Sequence, residues 1–158
     1  MREREVIYTI GQKMCMNFRN KCYFRQLYWT DTGSVPKIER ASMDGTSRVV
    51  LHDTNLTTPY GLALDIETQT LYWTDYTLDV LETSSANGAN RKILTDRMLA
   101  DPLYLSYYDG NLFWGDLRYN RLLTTSISTP NDVAYFGSYH YYDFYGVQVI
   151  SPQLQPEG

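Results

Sequence analysis

The sequence predicts an all-β fold assembled from copies of one supersecondary unit, and three observations carry that prediction. Leu27-Tyr28-Trp29-Thr30-Asp31 returns letter for letter as Leu71-Tyr72-Trp73-Thr74-Asp75 and in variant form as Leu112-Phe113-Trp114-Gly115-Asp116, with tryptophan steps of 44 and 41 residues. A period in that range marks stacked or radially arranged units rather than one ordinary core. Further markers recur at a displacement of 43: Ile38-Glu39 as Leu81-Glu82, Gly45 as Gly88, Arg48 as Arg91, Leu51 as Leu94 and Pro59 as Pro102. Finally, short β-branched and aromatic runs are punctuated by Gly and Pro, and no stretch requires a helix.

Residues 1–26 do not match the unit and are expected to form an atypical N-terminal segment, a truncated or mis-joined copy. Cys15 stands where the unit wants its proline, yet Asn17 to Phe24 resembles Asp65 to Trp73 with one residue removed. Cys15 and Cys22 are candidates for a disulfide inside this segment, although two cysteines do not fix the redox compartment.

From residue 26 to Asp31 a strand is expected, with Leu27, Trp29 and Asp31 on one face and Tyr28 and Thr30 on the other. Both faces carry bulky groups, as a sheet sandwiched between two others requires. Asp31 ends that strand beside Thr32-Gly33-Ser34, where a short carboxylate accepts N–H bonds from the turn. Lys37 to Met43 is the next strand, Asp44-Gly45 its tight hairpin and Ser47 to His52 the outer strand. Asp53 to Thr58 then crosses to Tyr60–Asp65, a strand of small and aliphatic residues suited to a narrow centre, and Trp73 opens the same cycle with Asn87-Gly88 as hairpin. Glu39 and Glu82 recur at one position, which favours an architectural pairing with Arg40 or Arg91.

The third copy reads as abbreviated. Leu122-Leu123 stands where Leu81-Glu82 did, but no Asn/Asp-Gly turn follows before Pro130, so an outer strand is expected to be missing. Thr129-Pro130-Asn131-Asp132-Val133-Ala134 echoes Thr58-Pro59-Tyr60-Gly61-Leu62-Ala63, only 28 residues beyond Pro102, and reads as the start of a degenerate fourth copy. Its further strands would be Tyr139–Tyr142 and Val147–Ile150.

The 158 residues are 43% hydrophobic and 20% charged, which describes a globular chain rather than a disordered one. Fifteen tyrosines suit twisted strands and a contact surface. A net charge of −4 without a basic stripe argues against nucleic acid as a partner. No window approaches the length of a membrane span, and Met1-Arg2-Glu3-Arg4-Glu5 lacks the apolar core of a secretory signal. His52 and His140 have no partner at metal spacing, and neither a G-x-S-x-G elbow nor a phosphate loop is present. No metal, cofactor or catalytic residue is therefore expected. Asn55-Leu56-Thr57 is a glycosylation sequon in an expected loop, a candidate acceptor at Asn55.

The Y-W-T-D pentapeptide, with I-E, N/D-G-x-x-R-x-x-L and P-x-G-L-A-x-D at these offsets, resembles the class B repeat of the low-density lipoprotein receptor and its relatives. In that family six repeats make one six-bladed β-propeller. The resemblance thus implies a partial six-bladed YWTD propeller over residues 27–150, about three to four blades with the last ones degenerate. Tyr28, Trp29, Asp31, Tyr72, Trp73, Asp75, Phe113, Trp114 and Asp116 would then be structural motif residues of core and turns. Residues 151–158 resemble the exit toward an EGF-like module, so the parent chain is expected to be longer, with any membrane span outside this segment.

The resemblance also implies a function: non-catalytic binding of extracellular protein ligands, within a receptor of the endocytic or Wnt co-receptor type. Ligands dock in that family on loops corresponding to 32–37, 76–79, 117–121, 53–58 and 96–101. Tyr76, Asp79, Asp101, Arg118, Tyr119 and Arg121 are the candidate contacts there, a mixture of aromatic and charged anchors that suits protein recognition. A matrix propeller of the nidogen type, binding laminin, is the alternative. A calcium-dependent propeller hydrolase comes third, with Asp101 and Asp132 imagined around the central channel.

Overall fold

Tyr, Trp, Thr, Val and Ile favour extended backbone because their branched or aromatic side chains pack on a pleated surface. The structure, a computed structural model, describes residues 6–16 and 21–136, with side chains from residue 26 onward. Those runs become strands, and no helix forms among the described residues. Blade 1 contains β1 (Val6–Met16), β2 (Lys21–Asp31), β3 (Lys37–Ser42) and β4 (Val49–His52). Blade 2 contains β5 (Pro59–Asp65), β6 (Thr70–Asp75), β7 (Val80–Ser85) and β8 (Lys92–Thr95). Blade 3 contains β9 (Pro102–Tyr108), β10 (Asn111–Asp116), β11 (Arg121–Ser126) and β12 (Thr129–Phe136).

Each blade is an antiparallel meander in which sequence neighbours are sheet neighbours. The outermost strand of one blade leads by a crossover to the innermost strand of the next, and β5 packs against β1 on one side and β9 on the other. The chain is therefore a partial β-propeller. β1 and the first part of β2 come from residues 1–26, with Cys15 opposite Cys22 in the register.

The two-residue alternation in the pentapeptide decides how blades stack. Tyr28 packs with Leu62, Leu71 and Trp73 in one cluster, and Tyr72 packs with Leu105, Leu112 and Trp114 in another. The Tyr face of one blade thus meets the Leu/Trp face of the next. In blade 2 both faces are closed, leaving Tyr72 4% and Trp73 0% exposed. Polar groups ride along: Thr30 Oγ1 donates to the Tyr60 carbonyl of the next blade at 3.2 Å, and the Tyr107 hydroxyl of blade 3 donates to Asp65 of blade 2 at 3.0 Å. Close approach also explains Gly61, where an added Cβ would lie 2.5 Å from the Leu105 nitrogen.

Glu39 and Glu82 are architectural, but Glu39 takes Arg48 rather than Arg40. Arg48 reaches it with bonds of 2.9 and 2.6 Å, while Arg40 turns to Gln26. Glu82 takes Arg91 in the same way, at 2.6 and 2.8 Å. The cation stands just before the facing outer strand, Arg48 ahead of β4 and Arg91 ahead of β8, two residues from the register partner of each glutamate and so on the same sheet face.

Blade 3 corrects the expectation of a lost outer strand. Residues 129–134 do not open a new unit: β12 pairs with β11, Ser126 opposite Thr129 and Leu122 opposite Phe136. The turn between them is only Ile127-Ser128, held by Ile127 N–H to the Gly110 carbonyl at 2.9 Å, so no Asn/Asp-Gly pair is needed. The Thr-Pro echo misled because inner and outer strands draw on the same residue types. Strands expected at 139–142 and 147–150, His140 and the segment 151–158 lie outside the described residues.

Candidate ligand-binding face

Antiparallel strands reverse direction at each step, so the turn joining the second and third strands of a blade lies at the same end as the crossover from the fourth strand. The pentapeptide aspartate ties these two kinds of loop together. Asp75 accepts from Thr77 N–H and Leu78 N–H in its own turn, at 3.2 and 3.1 Å. It also accepts from Thr57 N–H and Thr58 N–H in the incoming crossover, at 2.8 and 3.0 Å. Asp116 repeats the arrangement with Tyr119 N–H at 3.1 Å and Ala100 N–H at 2.8 Å. Asp31 holds its own turn through Gly33 N–H at 2.8 Å. Burial pushes the Asp116 carboxyl up from its ordinary range, and the N–H donors of Ala100 and Tyr119 pull the other way. The sequence reading foresaw the bond to the turn and missed the bond to the crossover.

Three of the candidate contacts come together on these loops. Asp79 Oδ1 accepts from Asp101 N–H at 2.9 Å, and the Asp101 carboxylate faces the Arg118 guanidinium at 3.4 Å. Two blades and a crossover are joined in that chain. Asp79 and Asp101 hold positive φ, 54° and 70°, which Asp tolerates because its short side chain bonds locally. Tyr119 projects from the same turn as Arg118. Tyr76 lies one turn away, its N–H donating to the Thr58 carbonyl at 2.9 Å. Arg121 is set apart: its guanidinium lies 3.9 Å from the centre of the Tyr135 ring, on the outer strand β12.

The residues missed by sequence reasoning are apolar. Leu78, Met98 and Leu117 are 43%, 43% and 42% exposed, beside Tyr119 at 39%, all on the loops just described. Their signal was available: large aliphatic side chains at turn positions have no core to enter. These loops therefore carry exposed apolar side chains as well as the Arg118–Asp101 pair, both residue classes found at protein contacts. Asp132 sits on the outermost strand of blade 3, whereas Asp101 precedes the innermost, so the two do not share a central cage. Among the described residues no group of three His, Cys, Asp or Glu side chains is placed to hold a metal ion. His52 is buried, bonded to Ser84 Oγ at 3.0 Å and 5.0 Å from the Trp73 ring, a packing role between blades 1 and 2.

The model of the low-density lipoprotein receptor repeat class B matches residues 25–66, the stretch that carries the first pentapeptide and its Gly-Leu-Ala strand. Residues 25–66 thus carry a low-density lipoprotein receptor class B repeat. Similar proteins are receptors. This chain is 41% identical over 91 residues to the vitellogenin receptor Yl of Drosophila melanogaster, an alignment covering 57% of its length and 4% of that protein. It is 40% identical over 91 residues to the human low-density lipoprotein receptor-related protein 5, covering 57% of this chain and 6% of that one. The chain thus aligns with a small fraction of the length of these relatives. Among solved structures, a chain of a nidogen/laminin complex superposes with a TM-score of 0.64 at 32% identity, covering 70% of this chain and 43% of that one. A luciferin-regenerating enzyme shares the fold, with a TM-score of 0.55 at 15% identity. No helix among the described residues is long and apolar enough to cross a membrane.

Proposed function

We propose that this chain is a non-catalytic module of an extracellular propeller in a cell-surface receptor related to the low-density lipoprotein receptor, and that it binds protein ligands through the loops of blades 2 and 3. The observation that carries the reading is the rigid, partly apolar face built by Asp75, Asp116 and the Asp79–Asp101–Arg118 chain. Preformed loops spare a binding partner the entropic cost of ordering them. The kinship with receptors supports the same reading. A test places a photo-crosslinking amino acid at Leu117 of the full-length protein on cells, with Asn87 in the β7–β8 hairpin at the other end of blade 2 as control. Extracellular protein adducts at position 117 and none at 87 are expected; equal labelling at both positions, or labelling at neither, refutes the assignment.

The likeness to a chain of the nidogen/laminin complex supports a second reading, a matrix protein whose propeller links to a laminin-like partner. A membrane span encoded further along the parent transcript separates the two. Its presence supports the receptor and its absence the matrix protein.

A further inference from the structure

The crossover from blade 1 to blade 2 carries two polar side chains that its fold does not need, and the next crossover shows why. Asn55 and Met98 stand 43 residues apart at equivalent positions, before Pro59 and Pro102, and share the same left-handed backbone, φ 50° and 51°. Asparagine is favoured in that conformation, but Met98 adopts it at the equivalent place, so the crossover does not require an asparagine. Thr57 and Ala100 are likewise equivalent: each gives its N–H to the pentapeptide aspartate, at 2.8 Å in both cases, and a methyl group suffices at the second site. Leu56 and Leu99 occupy the position between and both pack inward. The Asn55 contacts described run through its backbone carbonyl, which Arg91 Nη2 holds at 2.8 Å. Both Asn55 and Thr57 are exposed.

We infer that Asn55 is an N-glycan acceptor, with Thr57 as its hydroxyl partner. Asn55-Leu56-Thr57 is the one Asn-x-Ser/Thr triplet in the 158 residues, with no proline between. The donor class is an oligosaccharide linked to a lipid pyrophosphate. The Asn55 amide nitrogen bonds to the anomeric carbon, the carbon–oxygen bond to pyrophosphate breaks, one amide proton is lost and the lipid pyrophosphate leaves. This rests on the extracellular reading, since such donors serve chains that enter the secretory route. Asn55 lies in the half of the crossover next to β4, whereas Thr58, next to β5, is the residue bonded to the Tyr76 turn.

The test is cell-free translation of the full chain behind a cleavable secretion leader, with microsomes, reading only the protease-protected fraction. Acceptance of the glycan during translocation does not depend on whether a variant folds. The expected result is a gel shift of one glycan that an endoglycosidase removes, that N55Q and T57A abolish and that T57S retains. A protected chain without the shift, or a shift that survives N55Q, overturns the assignment. Protease protection of the endogenous protein in its own cells tests the extracellular reading separately, so a failure of localisation is distinguishable from a failure of the acceptor.

Discussion

Replacing Arg91 with alanine should destabilise the chain more than the matching change at Arg48, and the two sites control for each other. Arg91 meets Glu82 at 2.6 and 2.8 Å, with side chains only 18% and 7% exposed. It also gives bonds of 2.5 and 2.8 Å to the carbonyls of Thr54 and Asn55 in the incoming crossover and stacks 5.4 Å from the centre of the Trp73 ring. Arg91→Ala removes all of these at once and leaves a buried carboxylate without its cation. Removing one partner of a buried pair costs about 3–5 kcal/mol, because the remaining charge stays desolvated. Arg48 makes the same fork to Glu39 and lies 5.2 Å from the Trp29 ring, but its side chain is 48% exposed and water can replace it. Glu39 also keeps a bond from Trp29 Nε1 at 3.1 Å. Urea unfolding of the full chain, followed by tryptophan fluorescence, should show a large fall in midpoint for Arg91→Ala and a smaller one for Arg48→Ala. A Glu82→Leu/Arg91→Met double variant should recover part of the loss. Equal falls for the two single variants would refute the role assigned to burial and to the crossover carbonyls.

Gly61→Ala should cost about 1–3 kcal/mol in the same assay, since the added methyl meets the Leu105 backbone where β5 and β9 approach, and no flexible side chain can yield. Burial, and then the Arg91 charge, hold the His52 imidazole below its ordinary value of 6.5, so the folded chain keeps it neutral where the unfolded chain binds a proton. Stability should accordingly be present above that value and decline as pH falls below it, and His52→Gln should flatten the decline; an unchanged slope in urea midpoints between pH 7 and 5 would contradict this. Leu78→Asp and Tyr119→Ala should each weaken capture of an extracellular protein ligand about tenfold or more while the unfolding free energy from urea titration stays within about 0.5 kcal/mol of the parent, because exposed turn side chains contribute to contact rather than to the core. A loss of binding accompanied by an equal loss of stability would point to the scaffold instead.

The sequence by itself determined the repeat, the strand class and the side-chain alternation. These follow from rules that act over a few residues: branched and aromatic side chains favour extended backbone, and Leu-Tyr-Trp-Thr-Asp has its bulky groups on both sides of a pleat. It also exposed the Glu82–Arg91 pair, because both members recur with the repeat. It did not reveal that Glu39 takes Arg48 over the adjacent Arg40, since sheet register, not sequence proximity, brings the partners to one face. Nor did it distinguish the outer strand of blade 3 from the start of another unit, because Thr129–Ala134 has residues that suit either place and only pairing with β11 decides. The candidate face was legible as a set of loops but not as a connected surface. Asp101 reaches Asp79 across 22 residues and Tyr107 reaches Asp65 across 42, contacts that form only when blades close against one another. The tertiary structure alone made Asp75 and Asp116 each serve both a turn and a crossover, because stacking the Tyr face of one blade on the Trp face of the next sets where the loops at their ends must meet.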